Sequence, residues 1–254
     1  ASCLVGSEMC IRDRSKTFSN SNANIFLSHY AEELVSKIKG VKNIPRKIIH
    51  HGAKVSFMGK IKKQNIESDK IQLLYVSTID LYKHQWNVIA AVAKLRKEGI
   101  NAHLTLIGGS YKKALDKINS IITIVDPERE FIKYEGIVDY REVFSYYVQA
   151  DIFVFASTCE NLPVILLEAM SEELPIACSN KRPMLDILKD GGLYFDSESI
   201  SSITRCLRYL IDNPDLQKIL AARANKYSQL YSWDICVVET LSLIKTIYEN
   251  KLYE

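Results

Sequence analysis

Long apolar runs are missing from this chain. No stretch reaches the roughly 18 residues a membrane-spanning helix needs, so no spanning segment is expected. Closely paired cysteines are missing too. Cys3, Cys10, Cys159, Cys178, Cys206 and Cys236 form no Cys-x-x-Cys motif. This suits a reducing cytosol better than a disulfide framework. The five histidines lack His-x-x-x-His spacing, and Asp-x-Asp occurs nowhere. No metal is therefore assigned, and no cofactor. An excess of one charge is also absent. The 33 basic and 30 acidic residues leave a net charge of +3, too balanced to suggest a nucleic-acid partner. The densest basic run, Gly59 to Gln64, reads as a solvated linker. A small basic patch is enough for a membrane surface, so peripheral attachment stays open. No internal repeat or low-complexity segment is present. At 47% hydrophobic and 25% charged residues, the composition is that of a globular protein.

After the basic run, strand and helix patterns alternate. Strands are expected at Ile71 to Val76, Ala102 to Ile107, Phe131 to Tyr134, Ile152 to Phe155, Pro175 to Cys178 and Leu193 to Phe195. Helices are expected at Gln85 to Lys97, Lys112 to Ile121, Arg141 to Gln149, Val164 to Met170 and Met184 to Lys189. Three more, Ser199 to Ile211, Pro214 to Leu230 and Trp233 to Tyr248, finish the chain. This alternation predicts an α/β fold with a parallel sheet and helices on both faces. Ligands of such sheets bind beyond the carboxyl ends of the strands. Ser77, Gly108, Gly136 and Glu160 all fall at or just after those ends.

The most informative stretch is "STCENLPVILLEAM", Ser157 to Met170. Glu160 lies in the loop after an apolar strand, and Glu168 lies inside the next helix. Asn161 offers a helix cap, and Pro163 suits the first helical turn. On one regular helix, carboxylates eight positions apart would stand about 12 Å apart along the axis. With Glu160 in the loop, the chain folds back and aims both at one pocket. An anion would sit between them on the free amides at the helix start. Two carboxylates flanking an anion site suit a sugar nucleotide. Glu168 has apolar neighbours, so its carboxylate needs a partner. Cys159 reads as a small packing residue, since a neighbouring carboxylate raises a thiol pKa and disfavours a nucleophile.

At these residues the chain resembles the retaining glycosyltransferases of family 4, of the group 1 type with the GT-B fold. Their signature, Glu, seven residues, Glu, reads here as Glu160, Asn161, Leu162, Pro163, then Glu168, Ala169, Met170. "YVSTIDLYKHQWNVIAAVAKL", "HLTLIGG", "YEGIVDYREVFSYYVQADIFVFAS" and "LPIACSNKRPMLDILKDGGLYFD" resemble the family's donor-binding domain. The likeness runs from about Ile48 to Tyr248. It implies a Rossmann-like C-terminal half of a GT-B fold. Residues 53–232 would bind a nucleotide sugar. Residues 15–52, including "NANIFLSHYAEELVSKIKG" and "KIIHHGAK", would be a remnant of the N-terminal domain and the hinge. Residues 233–254 would be a C-terminal helix crossing toward that missing domain. Residues 1–14 resemble adaptor-derived sequence and are set apart as a non-native or disordered tail.

The resemblance implies the roles as well. Glu160 contacts donor sugar hydroxyls, and Lys83 meets the diphosphate and stabilises the leaving group. Glu168 binds the ribose. Asn161 and Leu162 present backbone amides, beside Pro163. Ile137 and Val138 match where the family holds the base, although core packing explains them equally well from sequence. Ser77, Gly108 and Gly109 line the donor site, with a simple turn an equal reading of the two glycines. Many family members carry an Arg near Thr78, and this chain does not. The expected activity is retaining transfer of a hexosyl or related group to a glycan or lipid-linked acceptor. No metal takes part, and the place is the cytoplasm or the inner face of the membrane. A non-catalytic nucleotide-sugar-binding domain and a sugar-nucleotide epimerase of the same architecture stay open. A dinucleotide-dependent oxidoreductase is disfavoured, because "YVSTIDLYK" has no Gly-x-Gly-x-x-Gly.

Overall fold

The computed structural model describes residues 16–38, 44–53 and 69–252. The tail 1–14 and the basic run 59–64 lie outside the described residues.

The main body is a parallel sheet of six strands: β3 (Ile71–Val76), β4 (Ala102–Ile107), β5 (Ile132–Tyr134), β6 (Ile152–Phe155), β7 (Ile176–Ser179) and β8 (Leu193–Phe195). Their order across the sheet is β5-β4-β3-β6-β7-β8, all parallel. Every residue of β6 and β7 is buried, as expected for strands covered on both faces. Helices α1 (His29–Ser36), α2 (Gln85–Lys97), α3 (Lys112–Val125), α4 (Tyr140–Gln149), α5 (Val164–Ser171), α6 (Met184–Leu188), α7 (Ile200–Ile211), α8 (Pro214–Ser228) and α9 (Trp233–Leu252) follow in chain order. Helix α2 packs with α3 and α7, and α5 packs with α8. Tyr75, Phe153 and Phe155 lie at the centre of the core.

The element types agree with the sequence reading, with shifted ends. The second of the sheet helices runs on to Val125, closed by Asp126, whose buried carboxylate accepts the amides of Glu130, Phe131 and Ile132. The last helix runs four residues past Tyr248. Ser199 is the cap of α7 rather than its first residue, accepting the Ser202 amide.

A smaller unit precedes the sheet. Its strands β1 (Asn24–Phe26) and β2 (Arg46–Ile48) pair in parallel. Helix α1 begins at Ser28, whose hydroxyl accepts the Ala31 amide. The segment after β2 crosses the start of α9. The Ala53 amide donates to the Tyr231 carbonyl at 3.2 Å. A Cβ on Gly52 would collide with the Trp233 amide. Only a glycine lets these two backbones approach so closely.

Candidate functional site

From β3 the chain steps outward to β4 and β5, then returns to the opposite side of β3 as β6. Connections leaving β3 and β6 therefore diverge, which opens a crevice at their carboxyl ends. Lys83 follows β3, and Glu160 follows β6. They meet in an ion pair across the crevice. Their side chains are 8% and 14% exposed.

Local bonds hold both loops in place. Asp80 accepts the Leu81 amide at 2.6 Å and caps the short 3-10 turn Leu81–Lys83. The Tyr75 hydroxyl donates to the Lys83 carbonyl at 2.6 Å and accepts the Ala156 amide at 3.2 Å. The Thr158 amide donates to the Tyr82 carbonyl at 2.8 Å. The Lys83 ammonium lies 5.0 Å from the Tyr82 ring centre and 5.4 Å from that of Phe155, close enough for cation–π attraction. Tyr75 and Thr158 were not read from the sequence. Their role depends on β3 and β6 being neighbours, which no local pattern states.

The ends of β4 and β5 form the adjoining wall. Gly108 adopts φ +136°, and a Cβ there would collide with the Ser77 carbonyl. Glycine is required by backbone conformation and by close approach of the neighbouring loop. The Gly109 carbonyl accepts the Ile79 amide at 2.7 Å, and the Gly108 amide donates to the Gly136 carbonyl at 2.8 Å. Ser77 is buried, its hydroxyl donating to the Thr78 carbonyl. Ile137 is 84% exposed, beside Gly109. Val138 is half-buried and packs on the core. The two expected base contacts thus differ: Ile137 projects outward, and Val138 packs on the core.

Helix α5 corrects two expectations. Its cap is Pro163, with no side-chain bond, and Asn161 caps nothing. Pro163 is not in the first helical turn as expected: its ψ of 104° is extended, and a proline also disfavours helical backbone in the residue before it, so Leu162 and Pro163 both precede the helix and Asn161 falls too far upstream. The Asn161 side chain instead accepts the Ser28 hydroxyl at 3.2 Å, joining the motif loop to the smaller unit. Leu162 is buried and anchors the loop. The amides of Val164 and Ile165 stand in the first turn, where a helix offers no internal acceptor.

Glu168 is 8% exposed, and it has the partners its burial demands. Tyr140 donates to Oε1 at 2.7 Å, and Tyr147 donates to Oε2 at 3.0 Å. Burial and then the Glu168 carboxylate push the Tyr140 phenol up to about 12. Burial, reinforced by the Glu168 charge, raises Tyr147 well above the ordinary tyrosine value. Neither tyrosine was singled out in the sequence. Their seven-residue spacing, two helical turns, is the signal that was available.

Cys159 is half-buried in the motif loop. Cys178, Cys206 and Cys236 are free. Among the described residues, no three His, Cys, Asp or Glu side chains cluster as metal ligands. An apolar cleft of about 320 Å³ opens between the smaller unit and the motif loop, lined by Phe26, Tyr30, Leu34, Glu160 and Asn161 among others. No described helix is long and apolar enough to cross a membrane.

The family model described as "Glycosyl transferases group 1" matches residues 58–227. In sequence the chain is 24% identical over 174 residues to the O-antigen chain mannosyltransferase B of Escherichia coli, covering 68% of this chain and 45% of that protein. It is 26% identical over 196 residues to the alpha-monoglucosyldiacylglycerol synthase of Acholeplasma laidlawii, covering 74% and 47%. The chain thus spans less than half the length of either relative. In structure it matches the sucrose-phosphate synthase of Thermosynechococcus elongatus with a TM-score of 0.84 at 17% identity, covering 98% of this chain and 64% of that one. Anabaena HepE, in complex with UDP and glucose, matches with a TM-score of 0.81 at 16% identity, covering 93% and 67%.

Proposed function

This chain belongs to the glycosyl transferases group 1 family, and from that premise we propose that it serves retaining transfer, of the family 4 kind, from a nucleotide-diphosphate sugar. The observation that carries the reading is the Lys83–Glu160 pair across the crevice between β3 and β6, with Glu168 on the helix that follows.

Cleavage of the sugar–phosphate bond leaves negative charge on the departing phosphate oxygen. The Lys83 ammonium and the first-turn amides of α5 stabilise that charge. Glu160 accepts hydrogen bonds from sugar hydroxyls, and Glu168 accepts them from the ribose. The outward Ile137, with the core-packed Val138 next to it in sequence, provides an apolar face for the base, beside Gly108, Gly109 and Ser77. Asn161, Leu162 and Pro163 shape the loop between the sugar and diphosphate ends. In the empty protein Lys83 and Glu160 neutralise each other. Donor binding separates their tasks, the diphosphate drawing the ammonium and the hydroxyls satisfying the carboxylate.

Relatives named as a mannosyltransferase and a monoglucosyldiacylglycerol synthase support a hexosyl donor. They also support a glycan or lipid-linked acceptor, and the proposed place is the cytoplasm or the inner face of the membrane. Residues 15–52 are assigned to the N-terminal GT-B domain, 53–232 to donor binding, and 233–254 to the helix that crosses between them.

Calorimetry against a panel of nucleotide sugars tests the reading. A charged hydrogen bond contributes about 1.5–3 kcal/mol, about a tenfold or greater effect. Glu168→Ala weakens UDP or GDP as well as the full donor. Glu160→Ala weakens mainly the sugar-bearing form. Parent-like binding of the full donor by both variants overturns the assignment.

A further inference from the structure

Helix α4 occupies both oxygens of the carboxylate that the preceding proposal gives to ribose, and the inference rests on that proposal. Its two tyrosines are not equivalent. Tyr147 is buried, its ring 5.8 Å from that of Phe153 and its hydroxyl 3.4 Å from the Ile165 carbonyl. It has no room to move without opening the core. Tyr140 is 56% exposed and is the first residue of the helix. It stands three positions after Ile137, the outward apolar side chain. The backbone there is held independently of the phenol. Asp139 accepts the Arg141 amide at 2.9 Å and its guanidinium at 3.0 and 3.1 Å. The phenol hydroxyl can therefore give up Oε1 without unwinding the helix start. It meets water on leaving, so no buried donor is stranded. The same departure by Tyr147 would strand one.

We propose that Tyr140 is an internal stand-in for the nucleotide's ribose, its hydroxyl giving up Glu168 Oε1 when a ribose hydroxyl arrives, while Tyr147 keeps Oε2 and holds the carboxylate's orientation throughout. Tyr140 lowers nucleotide affinity by competing for the same acceptor. It also keeps Glu168 Oε1 from standing without a partner in the empty protein. Tyr147 is a positioning residue acting through Glu168.

The full chain is titrated by calorimetry with UDP, GDP and ADP, and with the 2′,3′-dideoxy form of whichever binds most tightly. The parent prefers the ribose form. Tyr140→Phe removes the competitor and keeps the ring, so the ribose form binds about five- to tenfold tighter while the dideoxy form is unchanged. Tyr147→Phe, which keeps the core filled, narrows the ribose-to-dideoxy ratio without changing the dideoxy affinity. A Tyr140→Phe variant that binds the ribose form as the parent does, or more weakly, overturns the proposal. Glu168→Gln separates the two levels. If it collapses the ratio while Tyr140→Phe is silent, only the stand-in role fails. If it leaves the ratio intact, or no nucleotide binds, the ribose assignment falls and this inference with it.

Discussion

Lys83 and Glu160 enter the site as a nearly buried pair of opposite charges. Burying one charge without the other is costly, and breaking such a pair destabilises by about 3 kcal/mol. Glu160→Ala should therefore lower the unfolding free energy by about that amount as well as weaken the donor. The double variant Lys83→Met, Glu160→Leu should recover most of the stability and none of the donor binding. Denaturant unfolding of the three proteins checks this, and an unchanged midpoint for the single variant would show a solvent-screened pair. Gly108→Ala should destabilise by more than about 1 kcal/mol, because its backbone conformation and the Ser77 carbonyl both reject a Cβ. Tyr147 adds a pH dependence. Its phenol keeps its proton to higher pH in the fold than in the unfolded chain, where it titrates near pH 10. The associated stability is fully present below about pH 10 and is lost as pH rises toward the folded value. Thermal midpoints above pH 10 should fall more steeply for the parent than for Tyr147→Phe.

At the scale of elements, α9 is the outlier. Ile235, Val237, Val238, Leu241, Ile244 and Tyr248 are all exposed on it, although the helix begins against the segment after β2 through Gly52 and Trp233. Contiguous apolar surface of several hundred Å² is unusual on a soluble monomer. The chain should bind a hydrophobic dye and sediment as concentration-dependent oligomers. Val238→Lys with Leu241→Lys should reduce both signals without lowering the thermal midpoint. A monodisperse parent that binds no dye would remove this reading. The elements themselves were largely legible in advance, because runs such as Ile152 to Phe155 and the capped helix after Ser199 carry their own local signals. Asn161 misled because a good capping residue stood two positions before a proline, and the proline decided where the helix could start.

For the whole molecule, donor affinity should not depend on a divalent ion, since the proposed anion stabilisation comes from Lys83 and helix amides. Nucleotide-sugar titrations with and without excess chelator decide this. A tenfold drop, about 1.4 kcal/mol, would overturn it. The chain by itself determined the α/β class, the succession of elements and the place of Glu160 after a strand and Glu168 within a helix. Those follow from backbone geometry and side-chain periodicity over a dozen residues or fewer. Only the tertiary structure decided that β3 and β6 are neighbours, that Lys83 meets Glu160 seventy-seven positions away, and that Tyr140 and Tyr147 fill Glu168. Such meetings depend on how crossover connections order the strands and on which rotamers the packed core admits, and neither is written in any single stretch of residues.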